Sequence, residues 1–275
     1  MRLLATAGLL IVLPFAASVV VEKPHASPLA ATMSNERNFS AVSLNLAKEA
    51  SSSTIVRAIQ DAPRLREADV FLLQEVWHEE GKQSVAEKAA RELGYSVAFQ
   101  PARGFCDQGV AIISRYPLND IQTTPLKACD LRFRSRSRLA ISANAKTPWG
   151  DVRVWNVHLD TRINAGERLE QLQPVLTDAA RYSGPKLIGG DFNTNDFYWV
   201  GNVLPMPFGR GHGSSIRSAM LQHGFETPFV DRVSTFPMLR SHLDWIFVKE
   251  MKAVGASVEP AAFSDHHAIW VGATL

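Results

Sequence analysis

The sequence predicts a mixed α/β fold whose strands pair mainly antiparallel. Two observations carry this. Apolar runs of strand length, rich in β-branched and aromatic residues, recur along the chain and alternate with stretches of helical spacing. The strands between Tyr95 and Leu159 follow one another through turns as short as Arg115-Tyr116-Pro117 and Pro148-Trp149-Gly150. Such turns suit hairpins and leave no room for the crossover helices of a doubly wound parallel sheet.

In chain order the predicted strands are 39–46, 70–76, 95–100, 109–114, 139–145, 152–159, 186–190, 243–248 and 267–271. Between them, 52–60, 82–93, 167–182 and 215–223 place Ala, Leu and charged residues on a three-to-four period and read as helices. Residues 195–214, rich in Gly, Pro and aromatics, have no period and read as a long surface loop.

The first 21 residues stand apart. Arg2 precedes an apolar run from Leu3 to Val21, the pattern of a secretory signal peptide or an N-terminal membrane anchor. Residues 22–37 read as a flexible arm and 38–275 as one domain. An exported protein is expected, secreted, periplasmic or on the cell surface. Lys+Arg number 29 against 27 Asp+Glu, so the whole chain carries no strong pull toward polyanions and any anion preference must be local. The two cysteines, Cys106 and Cys129, are too few and too far apart for a zinc or iron–sulfur site. In an oxidising compartment they make a plausible disulfide, worth about 3 kcal/mol by loop-closure arithmetic, with two separate thiols as the alternative.

No phosphate-binding Gly-x-x-x-x-Gly-Lys loop, His-Glu-x-x-His helix or Gly-x-Ser-x-Gly elbow is present, which argues against P-loop, zincin and α/β-hydrolase chemistry. Instead, polar residues sit at the ends of apolar strands. They are Asn45 in Ser-Leu-Asn-Leu, Gln74-Glu75 after Val-Phe-Leu-Leu, and His158 with Asp160 in Val-His-Leu-Asp. Asp191 and Asn193 follow in Gly-Gly-Asp-Phe-Asn, then Asp244 in His-Leu-Asp-Trp and Asp265-His266 in Ser-Asp-His. A carboxylate closing a buried strand costs free energy unless it is paired or holds a cation. Asp beside His, near further carboxylates, is the equipment phosphoryl transfer needs.

Taken singly these are ordinary strand-end residues. In this order over 45–266 they resemble the endonuclease/exonuclease/phosphatase superfamily, the DNase I-like proteins. The resemblance implies a four-layer α/β sandwich, two mainly antiparallel sheets face to face with helices outside. It further implies a metal-dependent phosphoesterase, in which Glu75, helped by Asn45, holds Mg²⁺ or Mn²⁺ and Asp265 sits at the metal or leaving-group side. By the same resemblance Asp191 aligns or deprotonates the attacking water, Asn193 bonds a phosphate oxygen, and His158 and His266 contact the phosphate, with Asp244 orienting His266. Flanked by Asp244 and Asp265, His266 should favour its imidazolium form.

Substrate class is less legible. Arg132, Arg134, Arg136 and Arg138 alternate, and on an extended segment would form a basic stripe suited to DNA or RNA, or a solvated edge that discourages strand pairing. Arg136, Arg138 and Arg168 are the expected substrate-binding arginines. Nucleic acid is the favoured substrate, a phospholipid or small phosphoester the alternative, and a catalytically inactive binding module the third reading. No obligate protein partner is implied, and a monomer is expected.

Overall fold

The structure, a computed structural model, describes residues 38–102, 107–129, 138–207, 209, 211–230 and 233–275. The leader and arm expected over 1–37, Cys106, and Arg132, Arg134 and Arg136 of the basic stripe lie outside the described residues. Cys129, the other half of the expected disulfide, is a partly buried free cysteine.

The described residues open with β1 (Asn38–Asn45), cross through α1 (Ser52–Asp61) and the short α2 (Pro63–Arg66), and return as β2 (Val70–Trp77), parallel to β1. Helix α3 (Val85–Leu93) starts on a capping box, Ser84 accepting from the Glu87 N–H while Glu87 reaches back to the Ser84 N–H. Two strands follow, β3 (Ser96–Pro101) and β4 (Gln108–Ser114). With β12 (Lys252–Glu259) and β13 (Ala268–Thr274) they complete a six-stranded sheet of order β12-β13-β1-β2-β4-β3.

The second sheet is built from β5 (Leu118–Pro125), β6 (Leu139–Thr147), β7 (Gly150–His158), β8 (Lys186–Asp191) and β11 (Asp244–Lys249), in the order β11-β8-β7-β6-β5. Helix α4 (Ala165–Arg181) makes the crossover between the parallel pair β7 and β8. Helix α5 (His212–Gln222) follows a small hairpin, β9 (Tyr198–Val200) with β10 (Leu204–Met206).

Alternation along the strands explains the layering. Val70 and Leu72 of β2, Val110 and Ile112 of β4, Ile141 of β6, Val154 of β7 and Ile246 of β11 share the core that includes the space between the sheets. The opposite face of the first sheet, with Val42, Leu44, Phe71, Leu73 and Ile113, packs on Ile55 and Ile59 of α1 and Ala86 and Ala90 of α3. The outer face of the second, with Trp155 and Phe247, packs on Leu172 and Leu176 of α4 and on Ile216 and Met220 of α5. The result is the four-layer sandwich that the resemblance implies. One polar stitch crosses the interior: Gln74 Nε2 donates to Asn156 Oδ1 at 2.7 Å, and Asn156 Nδ2 donates to the carbonyls of Leu73 and Ala111.

Three expectations change. The Arg115-Tyr116-Pro117 turn does not close a hairpin but hands the chain from β4 in the first sheet to β5 in the second. Strands β5 and β12 escape sequence reading because both lie at sheet edges and are largely solvated, so neither shows an apolar run. Residues 195–214 contain the β9/β10 hairpin, whose three-residue strands are too short to show a period.

Candidate active site

Strand register assembles most of the site. In the second sheet His158 pairs with Asp191 and Asp191 with Asp244, so three consecutive strands carry polar side chains in one row at one edge. The first sheet brings Asn45, at the end of β1, over that row: its Nδ2 donates to Asp191 Oδ2 at 3.1 Å. His158 Nε2 lies 3.6 Å and His266 Nε2 4.0 Å from the same oxygen. His266 Nδ1 is 2.9 Å from Asp244 Oδ2. All five residues are buried.

Local sequence makes this possible. A side chain at Gly189 would press on Leu72 Cδ1 at 2.8 Å, and one at Gly190, whose φ is +143°, would meet the Val157 carbonyl at 2.0 Å. These glycines let β8 lie close to its neighbours so that Asp191 reaches the row. Past Asp191 the chain turns at Asn193 (φ 52°), whose N–H donates to Asp191 Oδ1 at 2.8 Å. Asn193 Nδ2 also bonds the Leu159 carbonyl at 2.9 Å, leaving its second hydrogen for another acceptor. Thr235 Oγ1 accepts from the N–H groups of Leu243 and Asp244, and Ser264 Oγ bridges the His266 N–H to the Asn45 carbonyl.

The electrostatics follow from burial and charge. Burial, then the Asp244 charge, pushes the Asp191 carboxyl up to about 7, against the pull of His266 and of the bonds from Asn193 and Asn45. Burial opposes charge on His266, but the Asp244 carboxylate, its hydrogen bond and Asp191 outweigh it and hold the imidazole up at about 10. The row thus pairs a base that titrates near neutrality with a persistent cation.

Glu75 occupies a β-bulge: the β2–β4 register shifts between Leu73 and Val76, and Glu75 takes a left-handed φ of 49°. Such a conformation costs a non-glycine residue on the order of 1–3 kcal/mol and is concentrated at functional sites. Glu75 is half-buried, and its Oε2 accepts from Gln108 Nε2 at 3.2 Å. Asn45 Oδ1 accepts from the Ala47 N–H at 2.9 Å and, as a carbonyl, keeps a second lone pair. A carboxylate and an amide oxygen are the donors a hard divalent cation prefers, so these residues fit one. Asp265 is exposed beside His266. Asp191, Asp244 and His266, whose ligand atoms lie within 4.8 Å of one another, also form a buried cluster that could hold a cation. The raised pKa of His266 favours a proton on both ring nitrogens, whereas a metal ligand needs one of them free.

Arg168 is corrected. It is fully buried, and its guanidinium donates to the carbonyls of Asp160 and Phe192 through Nη1 and of Ile163 through Nη2, all at 2.7–2.8 Å. No face of it remains for a substrate, so it fastens the segments that follow β7 and β8. Arg138 does reach the site: its Nη1 lies 2.9 and 3.1 Å from the two ring nitrogens of His158, and its Nε donates to Asp160 Oδ1 at 2.9 Å. Sequence reading missed the bracing by Gln108 and Thr235, for which no local pattern gives a signal.

The family model for the Endonuclease/Exonuclease/phosphatase family matches residues 42–266, the span that carries every residue of this row. The chain belongs to the endonuclease/exonuclease/phosphatase family. Members of the family are hydrolytic phosphoesterases that use divalent metal ions. Among solved structures, the fold matches an endonuclease/exonuclease/phosphatase from Beutenbergia cavernae (TM-score 0.67, 19% identity, 87% of this chain and 72% of that one). It also matches a family protein from Leptotrichia buccalis (0.63, 20%, 85% and 98%) and a 3′ phosphatase from Neisseria bound to product DNA hairpin (0.60, 18%, 85% and 98%). No curated protein matches the chain in sequence.

Proposed function

We propose that this protein is an exported, divalent-metal-dependent phosphodiesterase acting on nucleic acid. The observation that carries the hydrolytic reading is the convergence of Asn45, His158 and His266 on one oxygen of Asp191, with Asp244 behind His266. In this reading Asp191, titrating near 7, accepts the proton of the attacking water. His266, kept cationic by Asp244, and His158 bind the non-bridging phosphate oxygens, and the uncommitted Nδ2 hydrogen of Asn193 supplies a further bond. Glu75 and Asn45, with Asp265, would hold Mg²⁺ or Mn²⁺, which when bound neutralises phosphate charge. Export rests on the apolar run Leu3–Val21, and nucleic acid on neighbours such as the Neisseria 3′ phosphatase and on Arg138 at the site.

A second reading, a phospholipid substrate, draws on the rim. Val200, Val203 and Leu204 in and beside the β9/β10 hairpin, and Met238 and Leu239 in the turn that follows Phe236, are exposed aliphatic side chains. The Phe236 ring lies 5.1 Å from that of His266. Aliphatic groups cannot stack on bases but do enter a lipid interface.

The test is hydrolysis of plasmid DNA, RNA, sphingomyelin vesicles and bis-p-nitrophenyl phosphate with Mg²⁺, Mn²⁺ or EDTA, with Asp191→Ala and His266→Ala as controls. Nucleic acid cleavage should fall steeply with salt, whereas lipid turnover should follow the vesicle surface. Activity that survives both substitutions refutes the hydrolytic site, and silence on all substrates with metal bound favours a binding module.

A further inference from the structure

Asp160 is a buried carboxylate to which the reading above gives no task. Its Oδ1 accepts from Arg138 Nε at 2.9 Å, its Oδ2 accepts from Gln171 Nε2 at 2.8 Å, and its own N–H donates to Gln171 Oε1 at 2.8 Å. Gln171, wholly buried on α4, is tied in turn to the Lys127 carbonyl at 3.0 Å. A chain of hydrogen bonds therefore runs from the helix behind the second sheet through Asp160 to Arg138, and from Arg138 Nη1 to the ring of His158.

The two arginines of this region contrast. Arg168 spends both terminal nitrogens on backbone carbonyls, as a structural arginine does. Among the described residues the Arg138 side chain bonds through Nε and Nη1 only, and its guanidinium borders a slot lined also by Gln108, Val110 and His158. A guanidinium fixed at two nitrogens presents the third in a set direction, which suits a phosphate oxygen.

We propose that Asp160 and Gln171 are positioning residues: they hold Arg138 against His158 so that guanidinium and imidazole meet the phosphate as one rigid pair. The proposal rests on the phosphodiesterase reading of the site. Misplacement of such a pair by ~1 Å is expected to cost on the order of 10²-fold in rate.

The experiment compares wild type with Asp160→Asn and Gln171→Ala, reading kcat and KM on bis-p-nitrophenyl phosphate, the melting temperature, and the ring ¹⁵N shifts of His158. Asp160→Asn should lower kcat ~10–100-fold with KM within about threefold and move the His158 shifts. Gln171→Ala, which leaves Arg138 and Asp160 in place but unbraced, should do the same more weakly, and it decides the matter if Asp160→Asn does not fold. An active wild type whose variants keep kcat and the His158 shifts overturns the clamp alone. A wild type that hydrolyses no phosphodiester overturns the reading of the site, and with it any catalytic role for the clamp, whatever the His158 shifts show.

Discussion

Arg168→Met separates a structural arginine from a substrate-binding one. The substitution keeps a long side chain but removes three hydrogen bonds and leaves the carbonyls of Asp160, Ile163 and Phe192 without their donor in a buried setting. Burial pushes the guanidinium down to about 10, against Asp191 and Asp160, so it is still charged at neutral pH and its bonds are charge-assisted. An orphaned buried carbonyl costs ~1–3 kcal/mol, but removing the arginine also relieves the cost of burying its charge, which brings the expected loss to about 3–5 kcal/mol. Against the usual 5–15 kcal/mol of a folded domain this is a large fraction, readable as a shifted midpoint in urea followed by tryptophan fluorescence. Arg168→Lys, which keeps the charge but not the fork, should lose about half as much. A loss under ~1 kcal/mol accompanied by a raised KM would refute the structural assignment and restore the substrate-binding role expected from the sequence.

Asp191→Asn should lower kcat by ~10²–10⁴-fold while the fold persists, as circular dichroism and a hydrolysis assay would check together. In wild type, activity should rise as pH climbs through about 7, where Asp191 gives up its proton, and fall through about 10, where His266 loses its charge. A profile flat across neutrality would remove Asp191 as the base. Asp244→Asn should return the His266 pKa toward the ordinary imidazole range, seen by NMR titration, and draw the alkaline limb to lower pH. His212 is buried, and burial, then the Arg168 cation, holds its imidazole down at about 4. Its folded pKa lies below the unfolded one, so its contribution is whole above about 6.5 and is lost as pH falls toward 4; His212→Gln should remove up to roughly 3 kcal/mol of that acid sensitivity in urea melts.

The sequence marked the polar groups that the strand ends bring together more clearly than it marked the edge strands, and the reason is physical. Asn45, His158, Asp191 and Asp244 each interrupt an apolar run, and a polar group that closes a buried strand is visible because burial makes it expensive. Strands β5 and β12 bury little, so nothing in Leu118–Pro125 or Lys252–Glu259 had to be apolar, and the pattern that reveals a strand was absent. Arg168 shows the converse limit. A guanidinium that bonds three backbone carbonyls and one that binds a phosphate are the same letter in the sequence, and only the carbonyls that converge on it tell them apart. Arg138 and Asp160 are 22 residues apart and belong to different segments, so their pairing follows from the β6–β7 register rather than from any spacing a motif could record. The strand ends announce which groups reach the edge of the sandwich. The tertiary structure decides which arginine lies against His158 and which holds the walls in place.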